Sequence, residues 1–221
     1  MTRMLYTELL RLWDESVQAV DVKDWKSALA TLEQINEPTS RTFFNTASAH
    51  LALGQLDLAM RALHFCISKD ERLAVGFFQR AAVMMLEEAL SDCIWAQKHM
   101  RGNVVIDYKQ LGLRFKLYSW QVSYNAAAVY CRMGQWEQAT DVLLLASQGG
   151  RGTNIDAALD SIAVKVLAPL LVPEGVVFRP RKQDVEQLQQ RDFLGKIVRL
   201  LPAEAHAALR RDHRAGAGMG S

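Results

Sequence analysis

A spacing of large, small and large residues occurs three times in this 221-residue chain. Each copy begins with Trp25, Leu56 or Trp136, has alanine three positions later, and has leucine four positions after that. A turn residue and an earlier amphipathic segment (4–20, 41–53 or 117–133) precede each copy. Those segments carry small residues where two helices must approach closely, at Ser16, Ala47 and Ala127. An ordinary bundle would not repeat this spacing, so we predict a stack of helix pairs.

The repeat is typical of tetratricopeptide proteins, in which a unit of about 34 residues folds as two antiparallel helices. A third unit is shorter. In the other units the small residue of the first helix lies twelve positions before the alanine of the second, but Ala81 and Ala89 are eight apart. We therefore expect one continuous helix over about residues 73–99, whose far half packs on another molecule in a domain-swapped homodimer. The alternative is a tight turn near residues 84–86.

The rest of the chain modifies this solenoid. The segment at about 101–116 begins with a turn signal and continues with β-branched residues, which predicts an inserted β-hairpin-like loop. A last helix is expected over 156–168. Three prolines at 169, 173 and 180 favour an extended tail packed on the repeats. A short helix over 183–190 and a disordered end follow. The fold class is all-α, with four helix pairs in a repeat domain over 1–168, a tail over 169–198 and a divergent end over 199–221.

Composition indicates a binding protein rather than an enzyme. The formal net charge is +2 and gives no nucleic-acid signature, although residues 176–221 carry nine basic and five acidic side chains. The three cysteines and five histidines lack metal-ligand spacing, and no catalytic or phosphate-binding motif occurs. No apolar run is long enough for a membrane span. We expect no catalytic residue, no metal and no cofactor, and reduced cysteines in a cytosolic protein.

Six segments carry a resemblance to a known family. They are KDWKSAL, PTSRTFFN, LAVGFFQR, RGNVVIDYKQLGLRFKL, VFRP and RDFLGK, and the similarity as a whole spans about residues 5–198. The chain resembles the N-terminal tetratricopeptide region of the NADPH oxidase activator proteins, on the side of the non-phagocytic Nox activator rather than its phagocyte paralogue. The resemblance implies a cytoplasmic regulator that is recruited to the membrane when a superoxide-generating oxidase assembles.

The resemblance also implies partners and contact residues. The first partner is a Rac-family GTPase in its GTP form, and the others are the membrane flavocytochrome and its organiser subunit. The implied Rac contacts are Arg101, Asn103, Val105 and Asp107 in the inserted loop and Ser40, Asp70 and Arg72 in loops between repeats. Arginine would form charge-assisted hydrogen bonds, the aspartates would accept, and Asn103 would fix register through its amide.

An activation segment is implied by the motif at Asp192, Phe193, Leu194, Gly195 and Lys196, continuing through Ile197 and Val198. Arg199 then stands where the family has an apolar residue. One alternative is therefore a splice-type variant that binds Rac but does not activate the oxidase. Another is a generic tetratricopeptide adaptor that clamps an extended peptide. Against the second, we expect the chain's own tail to fill the groove, and no paired lysine and asparagine clamp is evident.

Overall fold

Four consecutive helix pairs form the part of the chain up to residue 148. The structure is a computed structural model that describes residues 2–84, 87–148 and 167–200. The helices are α1 Thr2–Asp21, α2 Trp25–Leu32, α3 Ser40–Ala52, α4 Leu56–Lys69, α5 Ala74–Val83, α6 Glu87–Met100, α7 Ser119–Arg132 and α8 Trp136–Gln148. In each pair the second helix packs on the first, and in the first three pairs it also contacts the first helix of the next pair. The predicted all-α class is confirmed, because the described residues are mostly helical.

The small residues of the repeated spacing lie at the contacts between helices. Ala28, Ala59 and Ala139 are all 0 % exposed. Ser16, Ala47, Ala81, Ala89 and Ala127 are between 0 and 1 % exposed. A larger side chain at these positions would push two helices apart. The first position of the spacing contributes less to the core, since Leu56 is 54 % exposed.

The turn inside the third pair differs from the other three. Lys23, Gly54 and Gly134 have positive φ angles of 58°, 71° and 75° and reverse the chain inside pairs one, two and four. In the third pair α5 ends at Val83, and Met84 is extended with φ −67° and ψ 154°. The prediction of one continuous helix over 73–99 is therefore wrong, and the alternative of a tight turn agrees with this break.

Packing explains why the third pair closes within one chain. Phe77, Phe78 and Ala81 on α5 are buried, as are Ala89 and Cys93 on α6. The turn lets α6 cover these faces within the same chain, without the second molecule that one continuous helix would need. The domain-swapped homodimer depended on that helix, so its premise is removed.

An inserted segment separates the third pair from the fourth. Strand β1 (Val105–Asp107) pairs antiparallel with β2 (Lys116–Tyr118), so that Ile106 lies opposite Leu117 and Asp107 opposite Lys116. A short 3₁₀ turn, Tyr108–Leu111, follows β1. Leu117 is fully buried, whereas its neighbours in β2 are exposed. This alternation turns one face of the strand pair toward the helices and the other toward solvent.

Residues 167–180 run without regular secondary structure along the first helices of pairs two, three and four. Asn45 on α3 donates to the carbonyl of Phe178 at 2.7 Å and accepts from its amide at 2.8 Å. Asn125 on α7 makes the same two bonds to Leu170, and Gln79 on α5 accepts from the amide of Val172 at 2.8 Å. Three side-chain amides thus hold the backbone of the extended segment.

Residues 181–200 belong to a separate unit, which begins at Arg181. Helix α9 (Lys182–Leu200) is longer than the predicted helix over 183–190, because no proline occurs between Pro180 and Pro202. The predicted helix over 156–168 lies outside the described residues, apart from its last two residues, which are not helical. The predicted disordered end over 199–221 also lies outside them, except that residues 199 and 200 are helical. Over the described ranges, no helix has the length and apolar character needed to cross a bilayer.

Candidate partner-binding surface

The connections between helix pairs meet at one end of the stack. Each pair leaves this end along its first helix and returns along its second, so the segments 33–39, 70–73 and 101–118 all lie there. These segments contain the sequence-predicted Rac contacts. Ser40 is the first residue of α3, directly after the capping residue Thr39, and it is partly exposed.

The connection between α4 and α5 is held by Asp70. Its carboxylate accepts from the backbone amide of Arg72 at 3.0 Å, and its carbonyl accepts from the amide of Leu73 at 3.2 Å. One oxygen of Asp70 is thus used within the loop, while the side chain of Arg72 remains exposed. The loop presents a carboxylate and a guanidinium two positions apart.

The inserted segment starts with a backbone conformation that turns it away from α6. Arg101 has a φ angle of +51°, and Gly102 follows at +76°. Asn103 then donates from its side-chain amide to the carbonyl of Met100 at 2.8 Å, and from its backbone amide to the same carbonyl at 2.9 Å. These bonds cap the end of α6. The side-chain NH₂ of Asn103 therefore has an internal partner, which limits the bidentate role expected from the sequence.

Val105 and Asp107 lie on the solvent side of β1. One oxygen of Asp107 accepts from the amide of Lys109 at 2.9 Å, and the other lies 3.6 Å from the ammonium of Lys116. The pair is well exposed, so it contributes little to stability. It does orient the carboxylate, which stays accessible to a partner.

Electrostatic interactions show that two of the connections lie close together. The pKa of His99, near the end of α6, is lowered first by burial and then by the positive charges of Lys98 and Arg101. Arg72 from the α4–α5 connection lowers this pKa as well, whereas Asp70 raises it. Charges from both connections therefore act on one imidazole, which is stacked on Phe77 with ring centroids 5.5 Å apart. The charges of Arg101, Arg72 and Asp70 thus all act on His99.

Residues 192–198, the proposed activation segment, are part of helix α9, and their side chains are outside the described part of the structure. In the described ranges, no group of three or more histidine, cysteine and acidic side chains is placed to hold a metal ion. The three cysteines are buried and free.

The amides that hold the tail were missed by the sequence reasoning. Asn45, Gln79 and Asn125 are only 1 to 2 % exposed. Each lies two positions before the small residue of its helix, at Ala47, Ala81 and Ala127. A buried amide at the same place in three repeats was the available signal.

Comparison with known proteins gives the following relatives. No protein-family model matches the chain. It is 40 % identical over 196 residues to NADPH oxidase activator 1 of Rattus norvegicus, covering 85 % of this chain and 44 % of that protein. It is 38 % identical over 203 residues to neutrophil cytosol factor 2 of Mus musculus, covering 88 % and 39 %. A protein called NADPH oxidase activator in Dictyostelium discoideum is 25 % identical over 190 residues. The chain spans less than half the length of these relatives.

Proposed function

This chain is homologous to the N-terminal tetratricopeptide region of the NADPH oxidase activators, and from this relation we propose that it is a non-enzymatic Rac-GTP effector that helps to activate a superoxide-generating oxidase. The GTPase would bind the inserted segment and the connections between helix pairs. The protein would act in the cytoplasm and join the flavocytochrome and organiser subunit at the membrane.

The observation that carries the proposal is that the inserted segment adjoins the start of α5, where the phenol of Tyr108 accepts from the amide of Val75 at 3.0 Å. Arg101 lies in the inserted segment, and Asp70 and Arg72 lie in the connection directly before α5. These side chains offer two cations and a carboxylate, and Asp107 adds a second carboxylate. Such a small polar surface suits a transient signalling contact. An affinity near micromolar, about −8 kcal/mol, is expected.

The competing function, a clamp for an extended peptide, is less favoured. The three amides that could read a peptide backbone are already bonded to residues 170, 172 and 178 of the same chain. A peptide from another protein would first have to displace that segment.

The test is a calorimetric titration of the chain with Rac loaded with a non-hydrolysable GTP analogue, beside Rac-GDP. Arg101→Glu reverses a charge of the proposed surface and is expected to weaken binding at least about tenfold, or about 1.4 kcal/mol. Lys26→Glu, an exposed reversal at the opposite end of the stack, is the matched control and should bind as the parent does. Equal binding to both nucleotide states, or equal binding by Arg101→Glu, would refute the effector role.

Oxidase activation needs its own assay. A cell-free superoxide assay with the flavocytochrome, organiser and Rac-GTP would show whether this chain supports turnover. An Arg199→Val variant tests whether the departure in α9 matters. GTP-selective binding without superoxide from the parent chain would favour the variant that binds Rac but does not activate.

A further inference from the structure

Tyr108 lies where the inserted segment meets the helices. It is 3 % exposed, and its backbone makes two hydrogen bonds within the inserted segment. Its amide donates to the carbonyl of Phe115 at 3.0 Å, and its carbonyl accepts from the amide of Leu113 at 3.2 Å. Its phenol oxygen accepts a hydrogen bond from the backbone amide of Val75 at 3.0 Å. One residue thus joins the inserted segment to the start of α5.

The amide of Val75 needs such a partner. Val75 is the second residue of α5, and the first amides of a helix have no acceptor within it. The capping residue is Leu73, whose side chain has no acceptor, and Val75 is 0 % exposed, so water is excluded. The phenol therefore supplies a cap that the local sequence of α5 lacks.

This bond is made directly beside the α4–α5 connection. Asp70, Arg72 and Leu73 are tied to one another by hydrogen bonds just before α5 begins. On the other side of the bond, Tyr108 follows Asp107 in the chain. The phenol thus links the two segments that carry most of the proposed GTPase contacts.

We propose that Tyr108 is a positioning residue that locks the inserted segment to the α4–α5 connection, so that a GTPase meets both as one pre-ordered surface. The inference rests on the proposed function for its partner. Burial of Leu113 and Leu117, both 0 % exposed, holds the segment near the helices, but apolar packing is non-directional. The phenol bond fixes the placement, which lowers the ordering cost of binding.

The test compares Tyr108→Phe with Tyr130→Phe in the full chain. Tyr108→Phe keeps the ring and removes only the hydroxyl, which is the acceptor for the amide of Val75. Tyr130 is a partly buried tyrosine on α7 and serves as the matched control. Binding of Rac-GTP by Tyr108→Phe is expected to fall about tenfold, equivalent to about 1.4 kcal/mol, with no change for Tyr130→Phe.

Native-state hydrogen exchange provides a readout that is independent of the GTPase. In Tyr108→Phe, the amides of Val75 and Ser119 should exchange faster, since Ser119 donates to Val104 across the strand pair at 2.9 Å. Amides in α1 and α2 should keep their parent rates. A purely structural role would instead accelerate exchange throughout the chain and leave GTPase affinity unchanged.

The outcomes separate the two proposals. If Arg101→Glu loses binding while Tyr108→Phe retains it, the positioning role is wrong and the effector role stands. If the parent chain does not bind Rac-GTP, the effector role fails. Unchanged exchange at Val75 and Ser119 in Tyr108→Phe would overturn the locking role whether or not the GTPase binds.

Discussion

The attachment of the extended tail can be tested at Asn45, which makes two hydrogen bonds to the backbone of Phe178 and is 1 % exposed. In Asn45→Ala both bonds are lost. The carbonyl of Phe178 keeps a partner, because the indole of Trp13 donates to it at 2.7 Å. The amide of Phe178 has no such substitute, and the residue is 0 % exposed.

The expected loss of stability follows from this asymmetry. Leaving a buried donor without an acceptor costs about 1–3 kcal/mol, and losing the second hydrogen bond adds about 1 kcal/mol. The free energy of unfolding should therefore fall by about 2–4 kcal/mol. For a chain of this size that corresponds to a drop in Tm of about 5–15 °C.

Urea unfolding followed by circular dichroism measures this loss, and hydrogen exchange reports on the amide of Phe178 itself. Asn36→Ala is the matched control, because Asn36 is exposed in the α2–α3 connection and its loss should stay within about 0.5 kcal/mol. If Asn45→Ala costs no more than Asn36→Ala, and the Phe178 amide stays protected, the side-chain amide does not hold the tail.

Three further predictions concern other contacts of the repeat domain. A Cβ on Gly112, whose φ is +94°, would lie 2.1 Å from the carbonyl oxygen of Arg179, so Gly112→Ala should cost about 2–3 kcal/mol in urea unfolding. At Gly102, with φ +76°, an added Cβ would have no atom within 4 Å, so Gly102→Ala should cost about 1–2 kcal/mol from backbone strain alone. Equal losses of stability in Gly112→Ala and Gly102→Ala would contradict the clash at Gly112. Asp92→Ala removes the carboxylate that pairs with the guanidinium of Arg80 at 2.7 Å, and it should lower the free energy of unfolding by about 3–5 kcal/mol. Adding Arg80→Met to Asp92→Ala should recover part of that stability, and no recovery would argue against an unpaired charge as the cause. Burial raises the pKa of the Cys66 and Cys93 thiols to about 12, so both stay protonated at pH 8 and should react with a disulfide reagent only after unfolding. Rapid labelling of these two thiols in the native chain would refute their burial.

The helix pairs and their contacts were predictable because the required signal is local. Alanine at a fixed distance from leucine marks where two helices must approach, and Ala59 and Leu63 are both 0 % exposed. The resemblance to the oxidase activators was also carried by short segments, and the comparison with known proteins confirms it. The Rac contacts stay predictions.

Errors arose where helix propensity competed with packing. The residues around Met84 are good helix formers, so propensity favoured a continuous helix. Burying the apolar faces of α5 and α6 against each other outweighs that preference, and the chain turns at Met84 without a glycine. The end of α9 was also misjudged, since no proline interrupts residues 181–201 and the single glycine at 195 weakens a helix by only about 1 kcal/mol.

The sequence by itself determined the class of fold, the number of helix pairs and the family relation, because each depends on residues close together in the chain. Only the tertiary structure decided how the inserted segment and tail are attached. Tyr108 caps α5 from 33 positions away, and Asn45 bonds Phe178 from 133 positions away. Such hydrogen bonds depend on where separate helices come to lie, and no local pattern of residues specifies that placement.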